Sequence, residues 1–216
     1  MKRIVALLMF CIILPHTGAF AQDGCNPSKD EKDIWDAIKN SGDPNDFFQY
    51  LKQYPAGCFR PVAKFKFNAL VPEKITIQIK TFFAGSGTVL GKDGDILKAT
   101  SGIDALHAIS LTVPDPSKFS LQFRCDAALR GLSGWYTNGQ TCPTPSAPGY
   151  IQGFSVSPIG AWKDFYVLRV WCKTVGTGGI GSQDWTVADQ WCGNKAGDRD
   201  RYVSMFSISA SRRAFD

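Results

Sequence analysis

Three stretches of alternating apolar and polar residues recur at nearly equal intervals. Ile75-Thr76-Ile77-Gln78-Ile79-Lys80-Thr81 lines up with Phe119-Ser120-Leu121-Gln122-Phe123-Arg124-Cys125 and with Tyr166-Val167-Leu168-Arg169-Val170-Trp171-Cys172, so the starts lie 44 and 47 residues apart. A period of two marks a strand with one buried face. Each stretch ends on a second such strand: Leu106–Thr112, Ile151–Ser157 or Val203–Ser209. Between the two strands lies a segment rich in Gly, Asp or Trp: 85–95, 132–142 and 176–193. Three copies of about this length predict an all-β region with pseudo-threefold symmetry.

The cysteines follow the same pattern. Of seven, Cys11 lies in the N-terminal segment discussed below, which leaves Cys25, Cys58, Cys125, Cys142, Cys172 and Cys192. Cys125 and Cys172 occupy matching places in the second and third copies, as do Cys142 and Cys192. Bridges Cys125–Cys142 and Cys172–Cys192 therefore repeat one geometry, whereas cross-copy pairing needs two. Thr81 stands at the matching place in the first copy. An even set points to disulfides in an oxidising compartment. Zinc is the rival reading, but there is no Cys-x-x-Cys pair, and His107 is the one histidine left after the N-terminal segment.

Residues 1–21 read as a secretory signal peptide. Lys2 and Arg3 give the charged start, Ile4 to Leu14 the apolar run, and Ala19-Phe20-Ala21 the cleavage site. The apolar run is too short to span a bilayer, so no stable membrane insertion is expected. The formal charge of +5 falls to about +3 without Lys2 and Arg3. That value gives no argument for a nucleic-acid partner.

Residues 22–71 read as a small helical hairpin and 72–216 as the three-copy β region. Ser28 and Glu31 form a capping box in which each side chain satisfies a first-turn amide. Ile34, Trp35 and Ile38 then recur at helical spacing. Asp43 and Pro44 start a second helix carrying Phe47, Phe48, Tyr50, Leu51 and Tyr54. In a third, from Phe59 to Leu70, Val62, Phe65 and either Phe67 or Ala69 face inward. A module of this size needs a staple or a partner, and Cys25 and Cys58 flank its first two helices.

The pattern Trp35-x-x-Ile38-x-x-Ser41-x-Asp43-Pro44-x-Asp46-Phe47-x-x-Tyr50-Leu51-x-x-Tyr54-Pro55-x-Gly57-x-Phe59 resembles, over residues 33–70, a short helical module of bacterial proteins. That module accompanies caspase-like peptidase domains and TPR-type or Sel1-type repeats. The resemblance implies an interaction or spacer element, without the peptidase. Two folds suit the β region, a β-prism and a β-trefoil. Leu106 to Leu111 and Gly149 to Phe154 resemble the Gly-rich strands of jacalin-related β-prism lectins and favour the prism. Gly134-Trp135-x-x-Asn138-Gly139, and in part Asp184-Trp185, resemble the tryptophan-containing repeats of clostridial secreted proteins.

No catalytic set assembles, and no cofactor or metal is expected. His107 sits in a closing strand beside Ala105 and Ala108, away from any nucleophile. Asp93, Asp95 and Asp104 are the carboxylates to weigh for glycoside hydrolysis or a calcium loop, but Gly-rich turns favour Asp for hydrogen bonding alone. Gly176 to Gly181 lacks the ending of a phosphate loop and reads as a surface loop. Arg199, Arg201, Arg212 and Arg213, interleaved with Asp198 and Asp200, read as a solvated face.

Aromatic loops carry the functional expectation. Trp135, Tyr136, Trp185 and Trp191 stand in the inter-strand segments beside Asn138, Asp184 and Asp189. Flat rings cover the apolar C–H face of a sugar while neighbouring amides and carboxylates accept its hydroxyl protons. The chain thus reads as an exported bacterial protein, periplasmic or secreted, that binds a glycan or cell-envelope polysaccharide without catalysis. The ligand-binding candidates are Trp135, Tyr136, Asn138, Trp185, Asp189 and Trp191, with Trp162 and Trp171 structural. Exposure of Trp135 and Trp185 favours this reading. Burial of both favours an envelope adaptor or inhibitor that meets a protein partner through the helical hairpin. A hydrolase using Asp93 or Asp189 with His107 comes last.

Overall fold

The computed structural model describes residues 24–101, 104–143, 149–176, 179–193 and 201–215. The signal-peptide expectation, Asp198, Arg199, Asp200 and the side chain of Asp184 lie outside the described residues. Three helices lead: α1 (Lys29–Ile38), α2 (Pro44–Gln53) and α3 (Arg60–Leu70). None of them is long and apolar enough to cross a membrane. Asp43 caps α2 by accepting from the Asn45 N–H at 2.9 Å. At α1 only half of the expected capping box forms. Ser28 Oγ accepts from the Glu31 N–H at 3.1 Å, but the Glu31 carboxylate turns inward. There it accepts from Tyr50 Oη at 2.6 Å and from the Phe59 N–H at 3.4 Å.

Glu31 is thus a buried acceptor joining all three helices. Burial and then its carboxylate push the Tyr50 phenol pKa far above its ordinary value. Gly57 makes room for the pair, since a Cβ there would lie 2.7 Å from Glu31 Oε1. On α3 Ala63 and Phe67 are buried and Val62 packs half-buried against the core, whereas Phe65, expected to face inward, is 72% exposed, and Ala69 is exposed too. Ala63 and Phe67 sit four residues apart on one stripe, and Phe65 is about half a turn away from it. The Cys25–Cys58 bridge staples the module, with Cα atoms 5.5 Å apart.

The remainder is mostly β, in three antiparallel sheets. Sheet I joins β1 (Gln78–Phe83), β2 (Gly87–Lys92), β4 (Leu106–Thr112) and β8 (Thr141–Cys142) in the order β2-β1-β4-β8. Sheet II holds β5 (Ser120–Ala127), β6 (Gly131–Leu132), β9 (Ile151–Ile159) and β12 (Trp191–Gly193) in the order β12-β9-β5-β6, with β7 (Tyr136–Thr137) also on β5. Sheet III orders β3 (Leu97–Lys98), β10 (Tyr166–Gly176), β11 (Gly179–Val187) and β13 (Arg201–Arg212) as β11-β10-β13-β3.

The first opening strand begins at Gln78 rather than Ile75. Upstream of it the chain is tied to β13, with the Arg212 N–H donating to Glu73 O and a bridge from Lys74 to Ser211. Gly176 to Gly181, expected as a loop, includes the end of β10 and the start of β11, paired through Gly176 and Gly179.

The sheets are not self-contained, as one sheet per copy would require. Each takes its fourth strand from the next stretch of chain: β8 joins β4, β12 joins β9, and β3 closes the circle on β13. The registers place three inward rows at these joints. They are Thr81–Ile109–Cys142, Cys125–Phe154–Cys192 and Cys172–Phe206–Leu97. All nine side chains are buried. The Cys125–Cys142 and Cys172–Cys192 bridges, with Cα separations of 6.2 Å and 5.8 Å, therefore run from one sheet to the next. The remaining pair of places holds Thr81 and Leu97 in the core. Gly91 leaves room for Leu97, whose Cδ2 would lie 2.4 Å from a Cβ at that position. Three disulfides in one chain fit an oxidising compartment.

The helical module is welded to this domain. Phe165 lies 4.9 Å from Phe48 and 5.3 Å from Phe67, while Phe215 lies 5.5 Å and 5.4 Å from the same two rings. Such pairs each contribute about 1 kcal/mol beyond burial. Of the basic residues expected on a solvated face, Arg213 is exposed but Arg212 is half-buried and engaged. Arg212 Nη1 donates to Asn68 O and Val71 O at the end of α3, and Arg213 Nε donates to Asp164 O. Tyr166 Oη donates to Pro72 O at 2.9 Å, and burial pushes its pKa up to about 12.

Two outcomes are expected. Tyr50→Phe leaves the buried Glu31 carboxylate short of a donor and lowers unfolding stability by about 1–3 kcal/mol, read by urea titration. Thr81→Cys combined with Leu97→Cys forms a fourth bridge, seen as the loss of two further hydrogens by mass spectrometry. It raises stability by up to about 3 kcal/mol over the Leu97→Cys single variant.

Candidate functional site

On the outward faces, the registers set one serine of each second central strand opposite a long side chain. Ser110 faces Lys80, Ser155 faces Arg124 and Ser207 faces Trp171. Trp171 is half-buried on the outer face of sheet III, outside the core. Trp162, also half-buried, packs on the core with the Lys118 ammonium 4.9 Å above its ring.

Sheet II turns this arrangement into a site. Its row continues from Arg124 and Ser155 to Trp191 on β12. On the opposite edge, β6 and β7 pair with β5 on either side of a break at residues 133–135. Ser133 holds the break in place: its N–H donates to Cys125 O at 2.9 Å, and its Oγ accepts from the Cys125 N–H at 3.0 Å. Trp135 leaves the ladder there and lies over Arg124. The Arg124 guanidinium carbon is 4.5 Å from the Trp135 ring centre and 5.4 Å from that of Trp191. Contacts of this kind each contribute about 0.5–2 kcal/mol, more when water is excluded.

Two further features lie close by. Asp189, in the β11–β12 turn with φ of 70°, accepts from Ser157 Oγ, two residues along β9 from Ser155. An open pocket of about 410 Å³ lies at the β6 and β7 edge of the sheet, lined by Cys125, Arg130, Ser133, Gly134, Tyr136 and Pro143 but not by Trp135.

Of the six sequence candidates, three gather on the outer side of sheet II: Trp135, Trp191 and Asp189. Tyr136 follows Trp135 but turns inward, stacking on Phe123 at 6.1 Å. Asn138 is engaged by the backbone of Val113, to whose O its Nδ2 donates at 3.4 Å. Trp185 lies on β11 in sheet III and is exposed. Arg124 is the residue that sequence reasoning missed. Its signal was positional: it stands one residue before Cys125, on the outward side of a strand whose flanking segments bring the tryptophans.

The carboxylates weighed for hydrolysis are each occupied. Asp93 Oδ1 accepts from the Ala210 N–H at 2.8 Å, Asp95 Oδ2 from the Lys92 N–H at 2.9 Å, and Asp104 Oδ2 from Ser86 Oγ at 3.2 Å. His107 is half-buried on β4 with its ring edge-on to Phe82 at 6.2 Å. Among the described residues no three His, Cys, Asp or Glu side chains gather as a metal site. No protein-family model matches the chain, and neither the curated proteins nor the solved structures contain a match.

Burial, opposed by the Ala210 N–H and Lys74, raises the Asp93 pKa above its ordinary value. The folded state therefore holds this proton more tightly than the unfolded chain. The resulting stabilisation is full below the unfolded value and is lost as pH rises through the raised one. Asp93→Asn keeps the acceptor for Ala210 without the charge. It should melt at or above the parent temperature at pH 7 and lose that part of the pH dependence, as measured by thermal melts from pH 3 to 7.

Proposed function

We propose that this chain is an exported, non-catalytic glycan-binding protein whose β domain is β-prism-like. One observation carries the functional reading: Trp135 is 43% exposed and Trp185 51% exposed. Many other large aromatics, such as Phe119, Phe123, Phe154 and Phe206, are buried in the core. Burying an exposed indole against solvent-free C–H groups of a sugar contributes favourably without any rearrangement of the core. Trp135 also lies over the Arg124 guanidinium, a polar group able to orient hydroxyls. The preference for a prism over a trefoil is supported by the three separate sheets. Among the described residues no closing strand pairs with the opening strand that follows it.

A second reading, an envelope adaptor acting through the helical module, draws on the exposed Phe65 of α3. It has one aromatic ring where the first has two.

The decisive measurement is binding of the oxidised protein to an array of glycans and cell-wall polysaccharides, beside a Trp135→Ala/Trp185→Ala variant with an unchanged melting temperature. Binding weakened at least about tenfold in the variant is expected, since each stacked ring contributes on the order of 1–3 kcal/mol. Equal binding by both proteins, or none by either, removes the aromatic-platform reading.

A further inference from the structure

Arg124 has an unbalanced environment. Two indoles flank its guanidinium, yet no hydrogen-bond or ion-pair partner is present for it among the described residues. Its Nε is buried and unpartnered, and so is Oγ of Ser155, directly across the strand pair. Arg124 is half-buried, and a polar atom shut off from water without a partner, as its Nε is, is costly. Cation–π contact offsets part of that cost but satisfies none of the five N–H donors. The carboxylates nearby are engaged already: Asp189 accepts from Ser157, and Asp126, on the same face of β5, is buried with a partner of its own. The stack therefore presents an oriented fork of donors with no acceptor to receive it.

We propose that Arg124 is an oxyanion receptor, and that the glycan bound at Trp135 is acidic, carrying a carboxylate or a sulfate. This rests on the glycan-binding reading above. A guanidinium holds such a group with two parallel hydrogen bonds, stronger than those between neutral partners. The buried Nε closes the side approach and leaves the Nη end for the anion, with the sugar ring against Trp135. The tryptophans fix the rotamer, so little side-chain freedom is lost on binding.

The test uses the oxidised protein, its Arg124→Gln and Arg124→Lys variants, and three soluble probes: polygalacturonate, dextran sulfate and unmodified dextran. Calorimetry should show that an acidic polymer binds more tightly than dextran. That preference should fall by about ten- to a hundredfold in Arg124→Gln and by a smaller factor in Arg124→Lys, which keeps the charge without the fork. Comparing polygalacturonate with dextran sulfate identifies which oxyanion is taken.

Dextran bound as tightly as the acidic polymers, with Arg124→Gln unchanged, overturns the acidic preference and leaves the glycan reading standing. Acidic polymers bound equally by parent and both variants mean a diffuse effect of net positive charge, which also overturns the role of Arg124. If no polysaccharide binds, both readings fall. Should Arg124→Gln melt early, Arg124→Lys carries the same comparison.

Discussion

A strand of two or three residues cannot hold its place by backbone hydrogen bonds alone. The ladder it forms is too short to offset the entropy of fixing the chain on either side. Yet β3, β8 and β12 are each of that length, and each completes a neighbouring sheet. What anchors them is the single inward side chain: Leu97, Cys142 or Cys192, packed in a row with two buried partners from the receiving sheet. Two of the three anchors are also covalently tied to the preceding opening strand. The mutual placement of the sheets depends on these joints, and so does the outer face on which the Arg124 stack is built. Trp191 reaches that stack only because β12, carrying Cys192 beside it, has crossed into sheet II.

The second constraint lies between the domain and its helices. Phe48 and Phe67 present their rings to Phe165 and Phe215, and Arg212 reaches across to the last carbonyls of α3. A helix C-terminus carries unsatisfied carbonyls and a partial negative charge, so a cation there meets both needs at once. The module thus obtains the partner that its small core requires, and obtains it within the chain. Phe65 stands on the solvent-facing side of α3, away from this contact.

How much of this was legible in the sequence depends on the range of the interaction. The pairs Cys125–Cys142 and Cys172–Cys192 could be read because matching positions recur along the chain. The helix starts were equally plain, since Asp43 and Pro44 act within one turn. The strand exchange was not legible: two residues carry no periodicity, and their partners lie far along the chain. Phe65 and Phe67 both looked apolar and helical, and only packing chooses the stripe. Glu31 looked like a capping residue because its tertiary donor, Tyr50, belongs to another helix. Arg124 passed for an ordinary outward cation, since nothing local tells that two tryptophans will close on it from opposite edges of a sheet.

The pairing of β3 with β13 bears on when the fold can form. Leu97 meets Phe206, more than a hundred residues later in the chain. The rings that receive the helices, Phe165 and Phe215, also come late. A growing chain therefore makes its helices first but has nothing to dock them on, and its first sheet must wait with one short strand unseated. Both closures wait for residues 205–215. Non-local contacts of this span slow folding, and here they make closure of the fold depend on β13 and Phe215. Until β13 is in place, the helices and the first sheet lack the surfaces that hold them.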